Sequence, residues 1–135
     1  TELEDLQEKY QEFKKVNCEI YAISTDTHFA HKTWHDISEN ISKIEYPMIG
    51  DPTHTLTYDF DVFDENDGLA QRGSFIIDPE GKVVVYEVNA GRNAEELLRR
   101  LHACQFVYEH GNNVCPAKWK LGEKTIQTSI ENVGK

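Results

Sequence analysis

The 135-residue chain has no apolar run near the roughly 18 residues that a membrane-spanning helix needs, so no such helix is expected. Cysteine is scarce. Cys18, Cys104 and Cys115 are too few and too unevenly spaced for a disulfide framework, and a reducing, cytoplasmic setting is the expectation. Basic residues are outnumbered, 14 Lys and Arg against 24 Asp and Glu. The net charge of −10 argues against nucleic acid or an anionic membrane as the main partner. There is no P-loop, no GxGxxG and no HExxH, so nothing supports nucleotide binding or a zinc hydrolase. Internal repeats and Pro/Gly/Ser linkers are also missing, which leaves one domain large enough to bury its own core. The opening Thr1-Glu-Leu-Glu-Asp5 is acidic, unlike a signal peptide. With no initiator Met, the natural chain is expected to begin further upstream.

What is present alternates between helix and strand. Thr1-x-x-Glu4 reads as a capping box opening a helix with Leu3, Leu6, Tyr10 and Phe13 on one face. Cys18–Ser24 is a short apolar run expected to be a strand buried on both faces. Asp26 is placed to cap a helix reaching Glu39 or Asn40, and Tyr46–Ile49 reads as a second strand. Asp51-Pro52 reads as an N-cap and first helical residue for a short helix ending near Phe60. Residues 61–71 are acidic and read as a loop. Gly73–Ile77 and Lys82–Val88 flank the turn Asp78-Pro-Glu-Gly81, which makes an antiparallel hairpin. Asn93-x-x-Glu96 caps a last long helix, and from His110 the pattern fades into a polar tail. The division is a core over 1–109 and a tail over 110–135. The order α-β-α-β-α-β-β-α is that of a thioredoxin-like α/β domain lacking its first strands, so the strand at Cys18–Ser24 should have one edge without a neighbour.

Four groups of residues carry chemical interest. Cys18 and Cys104 read as small packing side chains. Cys115, in Gly111-Asn-Asn-Val-Cys-Pro-Ala-Lys-Trp119, lies outside any periodic segment. It is either an incidental tail cysteine or an exchange-competent thiol, with Lys118 and Lys120 placed to favour its thiolate. Arg72, at the entrance to a strand, either pairs with Glu65 or Asp67 or stands ready to stabilise a thiolate or oxyanion. His28, His31 and His35 share a helical face, but no cysteine or acid pair stands near them. Solvent or interface histidines are expected rather than a metal site.

Five blocks then resemble one family in a single register along the whole chain. They are Thr1–Leu6, Tyr21-Ala-Ile-Ser-Thr-Asp-Thr-His-Phe-Ala-His-Lys-Thr-Trp-His35, Pro47-Met-Ile-Gly-Asp-Pro52, Gly68-Leu-Ala-Gln-Arg-Gly-Ser-Phe-Ile-Ile-Asp-Pro-Glu-Gly81 and Val114-Cys-Pro-Ala-Lys-Trp119. They resemble the typical two-cysteine peroxiredoxins of the bacterial alkyl hydroperoxide reductase kind. The resemblance implies a thiol peroxidase for hydrogen peroxide and organic hydroperoxides. A peroxidatic cysteine in a Val-Cys-Pro-Thr-Glu motif becomes a sulfenic acid, and a resolving cysteine from the other protomer of a dimer condenses with it. It implies no bound cofactor: electrons come from NADH through a separate flavin-dependent disulfide reductase. It also implies a homodimer, a pentamer of such dimers, and an interface near His28–His35.

Carried over by resemblance, Cys115 matches the resolving cysteine and Arg72 the arginine that holds the peroxidatic thiolate. Glu2 matches the acid after Cys-Pro-Thr, and Arg92 a second active-site arginine. The sequence begins at the Thr of that motif, so the peroxidatic cysteine and the pocket residues before it are absent from it. Val88–Asn93 is shorter than in relatives. The tail lacks a Tyr-Phe helix and residues 61–71 lack Gly-Gly-Leu-Gly, as in peroxidases that resist overoxidation. Two rival readings remain: an inactive, truncated oligomerisation module, and a thiol–disulfide exchange domain working through Cys115 alone.

Overall fold

The computed structural model describes residues 1–134. Helix α1 (Glu2–Lys15) places acids in its first turn and Lys14 and Lys15 in its last, matching both ends of the helix dipole. The Thr1 hydroxyl makes no cap bond, so the expected capping box does not form. At the other end Asn17 adopts a left-handed conformation (φ 56°). The Asn17 N–H donates to Lys14 O and the Cys18 N–H to Phe13 O, both at 3.0 Å, which is a Schellman stop.

Strand β1 (Ala22–Ser24) pairs in parallel with β2 (Met48–Gly50), Ala22 opposite Met48 and Ser24 opposite Gly50. β1 is shorter than the sequence pattern implied. It is also not buried on both faces, since Ile23 is 42% exposed. Among the described residues β1 pairs only with β2, so its other edge has no strand neighbour. Gly50 is required by a close approach: a Cβ there would sit 2.7 Å from Asp26 O and 2.9 Å from His28 N.

Helix α2 (His28–Ile37) is capped by Thr27, whose Oγ1 accepts from Ala30 N at 3.2 Å. Asp26 is not the cap; its carboxylate accepts from the Ser24 hydroxyl instead. The helix stops at Ile37, short of the expected Glu39–Asn40. A 3-10 turn at Ile41–Lys43 then turns Ile41 and Ile44 into the core. Helix α3 (Thr55–Asp59) also begins later than Asp51-Pro52 suggested, because His54 at its start is left-handed. Asp51 still serves it from a distance. Its buried carboxylate accepts from Leu56 N (3.2 Å), Thr57 N (2.8 Å) and Thr57 Oγ1 (2.7 Å).

Residues 61–71 are not a plain loop. They hold a small hairpin of β3 (Phe63–Asp64) and β4 (Leu69–Ala70). Asp64 and Asp67 shape its turn by accepting from Asn66 N and Leu69 N, and Gly68 supplies a positive φ. The hairpin of β5 (Gly73–Ile77) and β6 (Val83–Val88) forms as expected. Asp78 Oδ1 accepts from Glu80 N and Lys82 N across its turn.

Helix α4 (Ala94–Glu109) starts at Asn93, whose side chain accepts from Glu96 N. It runs parallel to α1. Asp5 Oδ2 accepts from Ala94 N at one end, and Gln105 Nε2 donates to Val16 O at the other, each at 2.7 Å. Between them the core gathers Tyr10, Phe13, Ile20, Ile41, Ile44, Tyr46, Ile76, Leu98 and Leu101. The Tyr46 hydroxyl donates to Leu3 O at 2.7 Å, and burial pushes its pKa up to about 12.

The segment after α4 holds more order than its polar composition announced. β7 (Asn113–Val114) pairs with β8 (Ile126–Gln127), and Trp119 is only 1% exposed. Its ring packs 5.4 Å from Phe106, and its Nε1 donates to Glu123 O at 3.0 Å. Trp119→Ala is expected to cost about 3 kcal/mol, the usual penalty for emptying a large buried aromatic site. Urea unfolding would show a lower midpoint, and hydrogen exchange would show protection lost first over 113–128.

Candidate functional site

Three separate stretches of chain converge on a cleft of about 540 Å³. The first turn of α1 brings Glu2, the β3–β4 hairpin brings Asp64 and Asp67, and the link into β5 brings Arg72. The β6–α4 connection closes the cleft with Asn89 and Gly91. That connection is held in place. Asn89 is left-handed (φ 57°), its N–H donates to Arg72 O at 2.8 Å, and its side-chain amide donates to Gln71 at 3.4 Å.

The two arginines differ in state. Arg92 is ion-paired through Nη2 with Glu2 Oε2, and its Nε is buried with no partner among the described residues. Arg72 is exposed and forms no ion pair among the described residues, so the alternative pairing with Glu65 or Asp67 does not occur. An unpaired guanidinium keeps its five N–H donors for whatever enters the cleft. No thiol of the described chain lines the cleft. The structure therefore brings Glu2 and Arg72 together in the cleft, ties Arg92 to Glu2 and leaves Cys115 elsewhere.

Cys115 lies against the middle of α4. Its thiol donates to Ala103 O at 3.9 Å and is half-buried. Nine helical rises separate Ala103 from Ala94 at the head of α4, or roughly 13 Å. The cation that faces Cys115 is Arg99, not Lys118 or Lys120. Burial raises the thiol's pKa and the Arg99 charge partly counters it. The sequence reading missed this arrangement. Arg99 donates from Nε and Nη2 to Glu96 at 2.7 and 2.8 Å, and from Nη1 to Trp119 O at 2.9 Å. Arg100 shares Glu96 and reaches Glu87 at 2.6 Å. Hydrogen bonds from Arg99 hold the Glu96 pKa down at about 2. The i, i+3, i+4 spacing of Glu96, Arg99 and Arg100 was the available signal for this network.

Since the Cys115 pKa is raised, the thiol form dominates at neutral pH and the reactive thiolate grows as pH rises. Alkylation of Cys115 by iodoacetamide should be slow at pH 7 and climb about tenfold per pH unit until the thiol titrates. Arg99→Gln should slow it further at every pH below that point. The check is the rate of mass gain on the Cys115 peptide.

The other candidates fall into structural roles. His31 is buried and its Nε2 hydrogen-bonds with Ser24 Oγ at 2.6 Å, seating α2 on β1. It is therefore not a solvent-facing residue. His35 Nε2 bonds Ile44 O at 3.3 Å, and the His28 ring packs at a tilt against Phe29. Among the described residues no three His, Cys, Asp or Glu side chains gather as metal ligands would. Cys18 packs against the main core, and burial raises its pKa.

Comparison with known proteins gives a consistent set of relatives. The family model described as "AhpC/TSA family" matches residues 1–86, and that of the "C-terminal domain of 1-Cys peroxiredoxin" matches residues 103–134. Over 138 aligned residues the chain is 53% identical to alkyl hydroperoxide reductase C of Staphylococcus epidermidis and 54% to that of Staphylococcus aureus. Both alignments cover 100% of this chain and 73% of the relative. Among solved structures it is similar to AhpC of Enterococcus faecalis, with a TM-score of 0.82 at 52% identity over 85% of this chain and 71% of that one. It is also similar to the reduced 2-Cys peroxiredoxin of Plasmodium vivax, with a TM-score of 0.90 at 29% identity over 96% and 69%. These neighbours place the chain in the thioredoxin-like α/β fold of peroxiredoxins.

Proposed function

Because the chain belongs to the AhpC/TSA family, we propose that it serves a thiol-dependent peroxidase, with Cys115 as the resolving thiol and the Arg72 cleft as the place of peroxide chemistry. The supporting observation is that Glu2 and Arg72, seventy positions apart in the sequence, line one cleft, with Arg92 ion-paired to Glu2. A guanidinium with unspent donors stabilises a thiolate and the negative charge that develops on the leaving oxygen as an O–O bond breaks. Glu2 holds Arg92, leaving Arg72 as the unpaired cation of the pair.

In this reading a peroxidatic thiolate, supplied by sequence ahead of Thr1, takes one peroxide oxygen to become a sulfenic acid, and water or an alcohol leaves. The Cys115 thiolate then attacks that sulfur. An S–S bond forms, the S–O bond breaks and the hydroxyl leaves as water, taking a proton from solvent. Within one chain Cys115 lies well along α4 from the cleft, which favours resolution by a neighbouring protomer.

The assembly proposed is a homodimer in a pentamer of dimers. Apolar side chains left in the open suit such contacts: Phe29 is 72% and Ile37 78% exposed on α2, while Val84 and Tyr86 are exposed on β6. Electrons are proposed to arrive from NADH through a separate flavin-dependent disulfide reductase, and the proposed location is the cytoplasm. No described helix is long and apolar enough to cross a membrane.

The test is a coupled assay of the polypeptide carrying the upstream peroxidatic segment. NADH oxidation that depends on the reductase, hydrogen peroxide and Cys115 supports the proposal. Peroxide consumption without Cys115 dependence removes the resolving assignment, and no consumption at all favours an inactive oligomerisation module.

A further inference from the structure

Peroxide turnover as proposed uses the thiol of Cys115 against α4, yet α4 carries a second thiol one residue beyond that contact. Cys115 Sγ lies 3.9 Å from the carbonyl oxygen of Ala103, the residue immediately before Cys104. Both thiols are half-buried, neither is bonded to another sulfur, and Cys18 packs against the main core. Burial raises the Cys104 pKa, and the charge of Cys115 adds to it.

We propose that Cys104 is a third redox sulfur, which takes over the disulfide from Cys115 and closes an intrachain Cys104–Cys115 bridge. The inference goes beyond the resolving role of Cys115 but, in the working enzyme, rests on it. The step is a thiol–disulfide exchange. Cys104 loses its proton to solvent and its thiolate attacks Cys115 Sγ in a disulfide Cys115–S–S–R. The Cys104–Cys115 bond forms and the Cys115–R bond breaks. The electron pair leaves on RS⁻, which takes up a proton. R is the peroxidatic cysteine in turnover, or glutathione in the test, so the oxidant is the disulfide itself.

Closing the bridge falls to the Cys115 segment. Such a bond needs Cα atoms within about 7 Å. Cys104 is fixed on α4, so Cys115 must make any adjustment. Its segment follows Gly111 and lies between a β7–β8 ladder of two residue pairs and the buried anchor at Trp119. Transfer of the bond would free the peroxidatic thiol for another turnover and store the two-electron oxidation delivered by one peroxide on the tail.

The experiment treats the reduced chain with excess oxidised glutathione and needs neither peroxide nor a peroxidatic cysteine. Wild type is expected to release about two glutathione thiols per chain, one on forming the Cys115 adduct and one on closing the bridge. Its intact mass should end two hydrogens below the reduced chain, with the Cys104 and Cys115 peptides linked and Cys18 open to alkylation. Cys104→Ser should stop at about one released thiol and keep glutathione on Cys115. A stable glutathione adduct on wild-type Cys115, a bridge to Cys18, or no reaction at Cys115 would each overturn the proposal. Because the peroxidase assay is read on a different polypeptide and substrate, a failure here leaves the resolving role standing. A failure there leaves the exchange intact.

Discussion

Replacing Cys115 by serine in the polypeptide that carries the peroxidatic segment is expected to lower NADH-driven turnover at least about 100-fold, more than about 2.7 kcal/mol in rate terms. The initial, stoichiometric consumption of peroxide should survive. The two effects separate because the first oxidation uses the cleft and the second uses the tail. Serine cannot form the S–S bond, so the sulfenic acid waits and advances to sulfinic acid as peroxide accumulates. A stability effect is not expected to confuse the result. Cys115 is half-buried, its one hydrogen bond is a weak sulfur contact of 3.9 Å, and the tail is anchored by Trp119 rather than by the thiol. Stopped-flow peroxide consumption beside steady-state NADH oxidation reads both quantities on one sample.

Arg72→Ala is the second large effect. Loss of a preorganised cationic donor at a site of developing negative charge lowers the rate of the first oxidation by about 10²–10³-fold. Because Arg72 is exposed and forms no ion pair among the described residues, its removal should change the urea midpoint by no more than about 0.5 kcal/mol equivalent. Arg72→Lys keeps the charge but not the planar fork of donors, and should recover only part of the rate. An Arg92 variant is a useful contrast. Removing Arg92 leaves Glu2 without its ion-pair partner at the cleft, so structure and rate should fall together.

Much of the fold was legible because the signals were local. The β5–β6 turn carries proline and glycine where a tight turn needs them, and Asn93 stands three residues before Glu96. Long-range packing decided the rest. Residues 18–21 are as apolar as a strand, yet β1 extends only over the three residues that pair with β2. His54 in a left-handed conformation delays α3 past its proline signal, and Asp51 compensates from outside the helix.

At the site, residue identity pointed to Arg72, Glu2, Arg92 and Cys115 through resemblance. Periodicity and composition had no means of placing Arg92 against Glu2, ninety positions away. The Glu96–Arg99 pair was legible as helix spacing, but its grip on Trp119 depends on how the tail docks. The histidines of α2 illustrate the reverse case. Their spacing suggested a shared face, while burial of His31 against Ser24 and the bond of His35 to Ile44 sent them to different tasks.

The most direct measurement is a non-reducing peptide map on the upstream-extended polypeptide with Cys104→Ser, so that no exchange shifts the bond. Light- and heavy-isotope protomers are mixed, reassembled and given one equivalent of peroxide. The expected result is a Cys115 peptide joined to a peptide from ahead of Thr1, with light–heavy pairs present in the proportion that neighbouring protomers require. Recovery of Cys115 as a free thiol after the peroxide has been consumed, or only in pairs of one isotope, would contradict it.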